Sequence, residues 1–185
     1  KLTYDDPLTK FFPDLPYEDV TIKGMLSHTS GLYDVYEKED YREQFYKFYG
    51  KINPPYSNQD YLNYMIKFKP PLLNEPFVET KYSNTAYVLL GLIVEKVSGQ
   101  EFDEYLTDNI FKPANMKNTF IFSKMDAGNV PEFAKGHRDS ETDGIVRAPN
   151  PASPPRMRGE TYGDDDMVST LDDMLAFDRA LSSGK

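Results

Sequence analysis

The stretch from Tyr87 to Val97, YVLLGLIVEKV, is apolar on almost every side and lies between a Ser83-Asn84 start and a Ser98-Gly99 stop. A helix that is apolar all round belongs in the middle of a core rather than on its surface. It is too short for a bilayer. The longest unbroken apolar run, Ala86 to Val94 with Gly91 allowed, is about half of the roughly 20 residues a spanning helix needs. The rest of the chain must therefore supply layers that wrap this one segment, and its patterning predicts such layers.

Asp5 and Asp6 precede Pro7, the cap-then-proline order of a helix start. Thr21 is placed to cap a short helix carrying Ile22, Met25 and Leu26, which stops in the turn formers His28-Thr29-Ser30-Gly31. Two amphipathic helices are predicted near 38–49 and 58–68, split by Pro54-Pro55, with Ser57 as the cap of the second. After Gly99 a helix from Glu101 to Phe111 carries Phe102, Tyr105, Leu106 and Ile110 inward. The period then changes: Thr119 to Phe122 and Glu132 to Arg138 suit short strands, and the Pro-rich segment from Arg138 to Tyr162 reads as a long loop. Thr170 caps a last helix, with Asp173 in the place of a capping box and Leu171, Leu175, Phe177, Ala180 and Leu181 as its apolar positions.

Length and charge restrict the function classes. At 185 residues the chain fits one domain with a sizeable core. With 30 acidic against 21 basic residues, its net charge of −9 excludes a nucleic-acid or anionic-membrane surface as the natural partner. There is no Cys, so disulfides, thiolate metal sites and cysteine nucleophiles are all absent. The two histidines, His28 and His137, stand far apart and form no H-E-x-x-H, so no metal site is expected. Asp164-Asp165-Asp166 lacks the alternating spacing of a calcium loop and reads as a charged turn. No nucleotide-binding glycine motif and no G-x-S-x-G elbow occurs.

Three strings remain: LSHTSGL at 26–32, KYSNTAYVLLGLIVEKVSG at 81–99 and GDDDMVSTLDDMLAF at 163–177. With KLTYDDPLTKFFP, IFKPANMKNT and FAKGH in the same order, they resemble the serine β-lactamase and penicillin-binding-protein superfamily, closest to class C β-lactamases and the related esterases and D-amino-acid peptidases. The resemblance implies acyl transfer through a serine ester, without a cofactor, on a small-molecule or peptide substrate such as a β-lactam, a D-alanyl peptide or an ester. Tyr82-Ser83-Asn84 fits the family's Y-x-N element, so Tyr82 inherits the catalytic proton-transfer role and Asn84 the substrate-binding one. A phenol, with an ordinary pKa near ~10, serves as a base at neutral pH only where nearby cations assist it. Read without the resemblance, the same three residues are an ordinary helix cap.

The departures from the family are as informative. No S-x-x-K stands ahead of Tyr82, so the nucleophile has no candidate in this chain. Ser182-Ser183-Gly184-Lys185 matches S-x-x-K only in the wrong order, and no K-T-G or H-x-G follows the last helix. His28-Thr29-Ser30-Gly31 reads as a structural turn. The expectation is a mainly α chain with a few short strands, residues 1–185 forming a single partial domain: the helical subdomain of a β-lactamase-like α/β serine hydrolase, inactive alone. A non-catalytic binding or sensor module on the same scaffold is the alternative. An apolar face near Tyr82 and the Tyr87–Val97 helix is expected to favour self-association. An extracytoplasmic home, periplasmic or secreted, is implied by the resemblance alone.

Overall fold

The computed structural model describes residues 2–34, 39–50, 56–122, 134, 137–140, 144–147 and 161–184. Among the described residues six α-helices carry the architecture: α1 (Ile22–Leu26), α2 (Glu39–Tyr49), α3 (Asn58–Phe68), α4 (Asn84–Ser98), α5 (Phe102–Leu106) and α6 (Leu171–Ser182). Four short strands complete it: β1 (Phe120–Ile121), β2 (His137–Ser140), β3 (Gly144–Arg147) and β4 (Met167–Val168). The fold is mainly α with a few short strands, as the patterning predicts.

The apolar segment is α4, and it is the hub. Ser83 Oγ accepts the Ala86 N–H at its start, and Gly99 at φ 72° closes it in the left-handed region. Helices α1, α3 and α5 all pack on it. Ala86, Val88, Leu89 and Ile93 are buried in the main core with Leu8, Phe11, Met25, Tyr61 and Met65. Burying each large aliphatic side chain contributes about 1.5–3 kcal/mol. The all-round burial expected of α4 is not complete: Val97 is half exposed, so the last turn reaches the surface.

Helix α3 starts in a full capping box, in which Ser57 Oγ accepts the Asp60 N–H and Asp60 accepts the Ser57 N–H. Its first residue breaks the apolar rule. Asn58 is buried, donates through Nδ2 to the Val88 and Tyr162 carbonyls (both 2.9 Å), and accepts the Tyr162 N–H at Oδ1 (2.9 Å). One carboxamide thus ties α3, α4 and the 161–163 segment together. Gly163 completes the contact: at φ 94°, an added Cβ would stand 2.7 Å from the Tyr87 carbonyl oxygen.

A second core cluster holds Phe102, Phe111, Met116, Ile121 and Tyr162, and Glu95, near the end of α4, joins it to the first. Its Oε1 accepts the Phe102 N–H (3.0 Å), supplying the cap that Glu101 does not, and its Oε2 accepts the Tyr162 hydroxyl (2.6 Å). Burial, and then the Glu95 carboxylate, raise the Tyr162 phenol above its ordinary range.

Several local expectations need correction. The predicted 101–111 helix is α-helical only to Leu106 and widens into a π turn over Thr107–Phe111. The short helical turn expected after Asp5-Asp6 is the 3-10 turn Leu8–Lys10, with Pro7 rather than an aspartate at its cap position. Asp6 does not cap it but pairs with Lys10 at 2.8 Å. The predicted 138–162 loop contains the β2–β3 hairpin, with His137 opposite Arg147 and Ser140 opposite Gly144; most of the remainder lies outside the described residues. Strand β4 pairs antiparallel with β1, Phe120 opposite Val168. At α6, Thr170 Oγ1 does cap the Asp173 N–H at 3.2 Å, but the Asp173 carboxylate does not reach back to complete the box. It accepts instead from the Asn118 N–H (2.6 Å) and the Thr119 hydroxyl (2.7 Å), since those donors are brought to it by the fold.

Candidate active site

Tyr82-Ser83-Asn84 sits at the N-terminus of α4, and each of the three is held by the loop that follows α1. That loop, His28 to Asp34, is strapped to the chain ahead of Tyr82 by three backbone bonds: Leu73 N–H to Gly31 O (2.8 Å), Phe77 N–H to Thr29 O (2.7 Å) and Lys81 N–H to His28 O (2.8 Å). Gly31 is required there, because a Cβ would stand 2.1 Å from the Asn74 carbonyl oxygen.

Ser83 is buried, and its hydroxyl bonds the Tyr33 carbonyl at 3.3 Å while it caps α4. Asn84 is clamped by Asp34, whose Oδ2 accepts both the Asn84 backbone N–H (2.7 Å) and its Nδ2 (2.8 Å). A carboxylate has only acceptors to offer, so the amide nitrogen must face it. Asn84 therefore turns Oδ1 away from Asp34, free of that clamp. Asp34 itself is 1% exposed.

Tyr82 is different. It is 55% exposed, and its hydroxyl has no hydrogen-bond partner among the described residues. A hydroxyl buried in packed hydrocarbon would have ended any catalytic reading; this one stands open to an incoming molecule. The Tyr82 ring rests on His28, centroids 4.5 Å apart, and His28 also stacks on Tyr87 at 5.0 Å. Lys81, the chain neighbour, does not turn to the phenol: its Nζ pairs with Glu79 at 2.7 Å.

The sequence reading placed Tyr82 and Asn84 at the start of α4, and there they are, side by side. The cap reading is also fulfilled, by Ser83, so the two are compatible. Two residues were missed. His28 was assigned to a turn, and it is in one, but its ring and Nδ1 face the Y-x-N element. Asp34 carried a signal that could have been read: a lone acid directly after the apolar Leu32-Tyr33. Ser182 ends α6 and has no hydrogen bond to this cluster among the described residues. No cluster of metal-ligating side chains occurs among the described residues.

The chain belongs to the β-lactamase family, whose model matches residues 1–185. It is 30% identical to penicillin-binding protein 4* of Bacillus subtilis, an alignment covering 97% of this chain and 39% of that protein. Among solved structures it superimposes on the D-amino acid amidase of Ochrobactrum anthropi SV3 complexed with D-phenylalanine, with a TM-score of 0.74 and 25% identity over 99% of this chain and 50% of that one. The octameric penicillin-binding protein homologue from Pyrococcus abyssi gives a TM-score of 0.72 and 25% identity, covering 100% of this chain and 40% of that one. The chain thus spans about two-fifths to half the length of these relatives. Its architecture is that of the helical subdomain of a β-lactamase-like α/β fold.

Proposed function

We propose that residues 1–185 form one partial domain that supplies one wall of an acyl-transfer site in a serine hydrolase acting on an ester or amide: a β-lactam, a D-alanyl peptide or a simple ester. Tyr82 moves the proton and Asn84 orients the substrate amide. The serine nucleophile and its lysine come from outside this sequence, so the chain alone is inert. The observation that supports this best lies at the start of α4: the loop holds Ser83 and both Asn84 nitrogens and leaves Asn84 Oδ1 free of that clamp, while the Tyr82 hydroxyl is exposed and has no hydrogen-bond partner among the described residues. The names of the relatives, a penicillin-binding protein and a D-amino acid amidase, agree with amide or peptide substrates. The same names support an extracytoplasmic setting, and no helix among the described residues is long and apolar enough to cross a membrane.

The test is made on the product of the full-length coding sequence, with chromogenic esters, D-amino acid amides and a labelled penicillin. Tyr82→Phe should keep the fold and lower kcat by about 10²–10⁴-fold, the usual worth of a positioned acid or base. Wild-type turnover by that variant overturns the assignment. Ligand binding with no turnover in the unaltered protein establishes the sensor module in its place.

A further inference from the structure

His28 joins the end of α1 to the Tyr82 segment by four separate contacts. Its carbonyl accepts the Lys81 N–H at 2.8 Å, and its Nδ1 accepts the Ser83 N–H at 3.2 Å. Its ring lies 4.5 Å from the Tyr82 ring, tilted by 32°, and 5.0 Å from the Tyr87 ring at 29°. All this is done from the left-handed region, at φ 55°, where Gly or Asn would make the turn at lower cost. A turn alone does not call for an imidazole here.

The protonation state follows from the bond. A backbone N–H can only donate, so Nδ1 carries no proton and the neutral ring holds its hydrogen on Nε2. The Lys81 ammonium, beside Tyr82 in the chain, is paired with Glu79. The rings in contact with His28 are the phenol-bearing ones of Tyr82 and Tyr87.

We propose that His28 is a positioning residue for Tyr82: an imidazole locked in one neutral tautomer by Ser83, forming the floor that fixes where the Tyr82 hydroxyl stands. The catalytic consequence rests on the acyl-transfer reading above; the floor itself does not. With no hydrogen bond to anchor the phenol among the described residues, ring contact is what limits its swing. Displacement of a catalytic group by about 1 Å can cost ~10²-fold in rate.

Two variants separate the contributions. His28→Asn keeps an acceptor and a residue at ease in the left-handed region, but removes the ring. His28→Phe keeps a ring and removes the acceptor. The first readout is tyrosine 13Cζ NMR on the 185-residue chain, with the Tyr82 line assigned through Tyr82→Phe. In His28→Asn the Tyr82 line should move away from its wild-type position, because the ring it rests on is gone, and His28→Phe should return it part of the way. The second readout is turnover by the full-length protein, where His28→Asn should lower kcat by about 10–100-fold with KM changed less than about 2-fold. Recovery of part of that loss by His28→Phe assigns the larger share to the ring. If His28→Asn folds normally by circular dichroism, and both the Tyr82 line and kcat match the wild type, His28 is only a turn residue and the proposal is wrong. If the Tyr82 line follows His28 but neither His28→Asn nor Tyr82→Phe alters turnover, the floor stands and the acyl-transfer reading fails.

Discussion

Asp164 and Asp173 flank the β4 strand with opposite electrostatics. Burial, and then the neighbouring Asp165 charge, push the Asp164 carboxyl up to about 6 from an ordinary 3.8, and its Oδ1 has no hydrogen-bond partner. Asp173 is also buried, which would raise it, but the Thr119 hydroxyl and the Asn118 N–H bond its charged form and hold it below the usual carboxylate range. For Asp164 the folded state keeps a proton that the unfolded chain gives up, so stability falls as pH rises from about 4 to about 6 and levels off above. Asp164→Asn should remove that slope and raise stability at neutral pH by on the order of 1–3 kcal/mol. Urea unfolding at pH 4.5 and pH 7 checks it (both buffers chosen to bracket about 6): equal gains at both would refute the cause given.

Among the elements, α4 was legible and the segment that crosses it was not. Ser83, the apolar run and Gly99 are local signals, and each operates as such signals do. The docking of residues 161–163 across α4 depends on Asn58 and Gly163, which are far apart in sequence. Asn58 did carry a trace, because it occupies the stripe of Tyr61, Leu62 and Met65 at helical spacing, where a polar residue is out of place. Gly163→Ala should be costly: its Cβ would meet the Tyr87 carbonyl oxygen at 2.7 Å, and alanine is strained at φ 94°. A loss of more than about 2 kcal/mol in denaturant unfolding is expected. A loss below 0.5 kcal/mol, about the size of an ordinary surface substitution, would show that the segment does not sit tightly on α4.

For the whole molecule, large apolar side chains are exposed in two places among the described residues. Leu26, Phe77, Val78 and Tyr82 are exposed near the start of α4, and α6 presents Leu171 at 91% together with Met174, Leu175 and Leu181 on one helix. Phe177 is the α6 residue that packs into the second cluster. Self-association, if driven by burial of apolar area, should therefore run through α6. The net charge of −9 opposes it, so sedimentation should show mass rising with protein concentration and rising further with salt. Replacing both Leu171 and Leu175 by Glu should return a monomer. A wild-type chain that stays monomeric at millimolar concentration in high salt would end this proposal.

What the sequence determined on its own is whatever acts within a few residues: the caps at Thr21, Ser57, Ser83 and Thr170, the left-handed stop at Gly99, the apolar core of α4, and the adjacency of Tyr82 and Asn84 at its start. Helical periodicity and capping are short-range, so spacing reveals them. Only the tertiary structure decided which polar groups meet: Asp34 with Asn84, Asn58 with Tyr162, Asp173 with Thr119, and His28 beneath Tyr82. A buried polar group must find a partner wherever the fold brings one, and that partner is chosen by packing across the core rather than by distance along the chain.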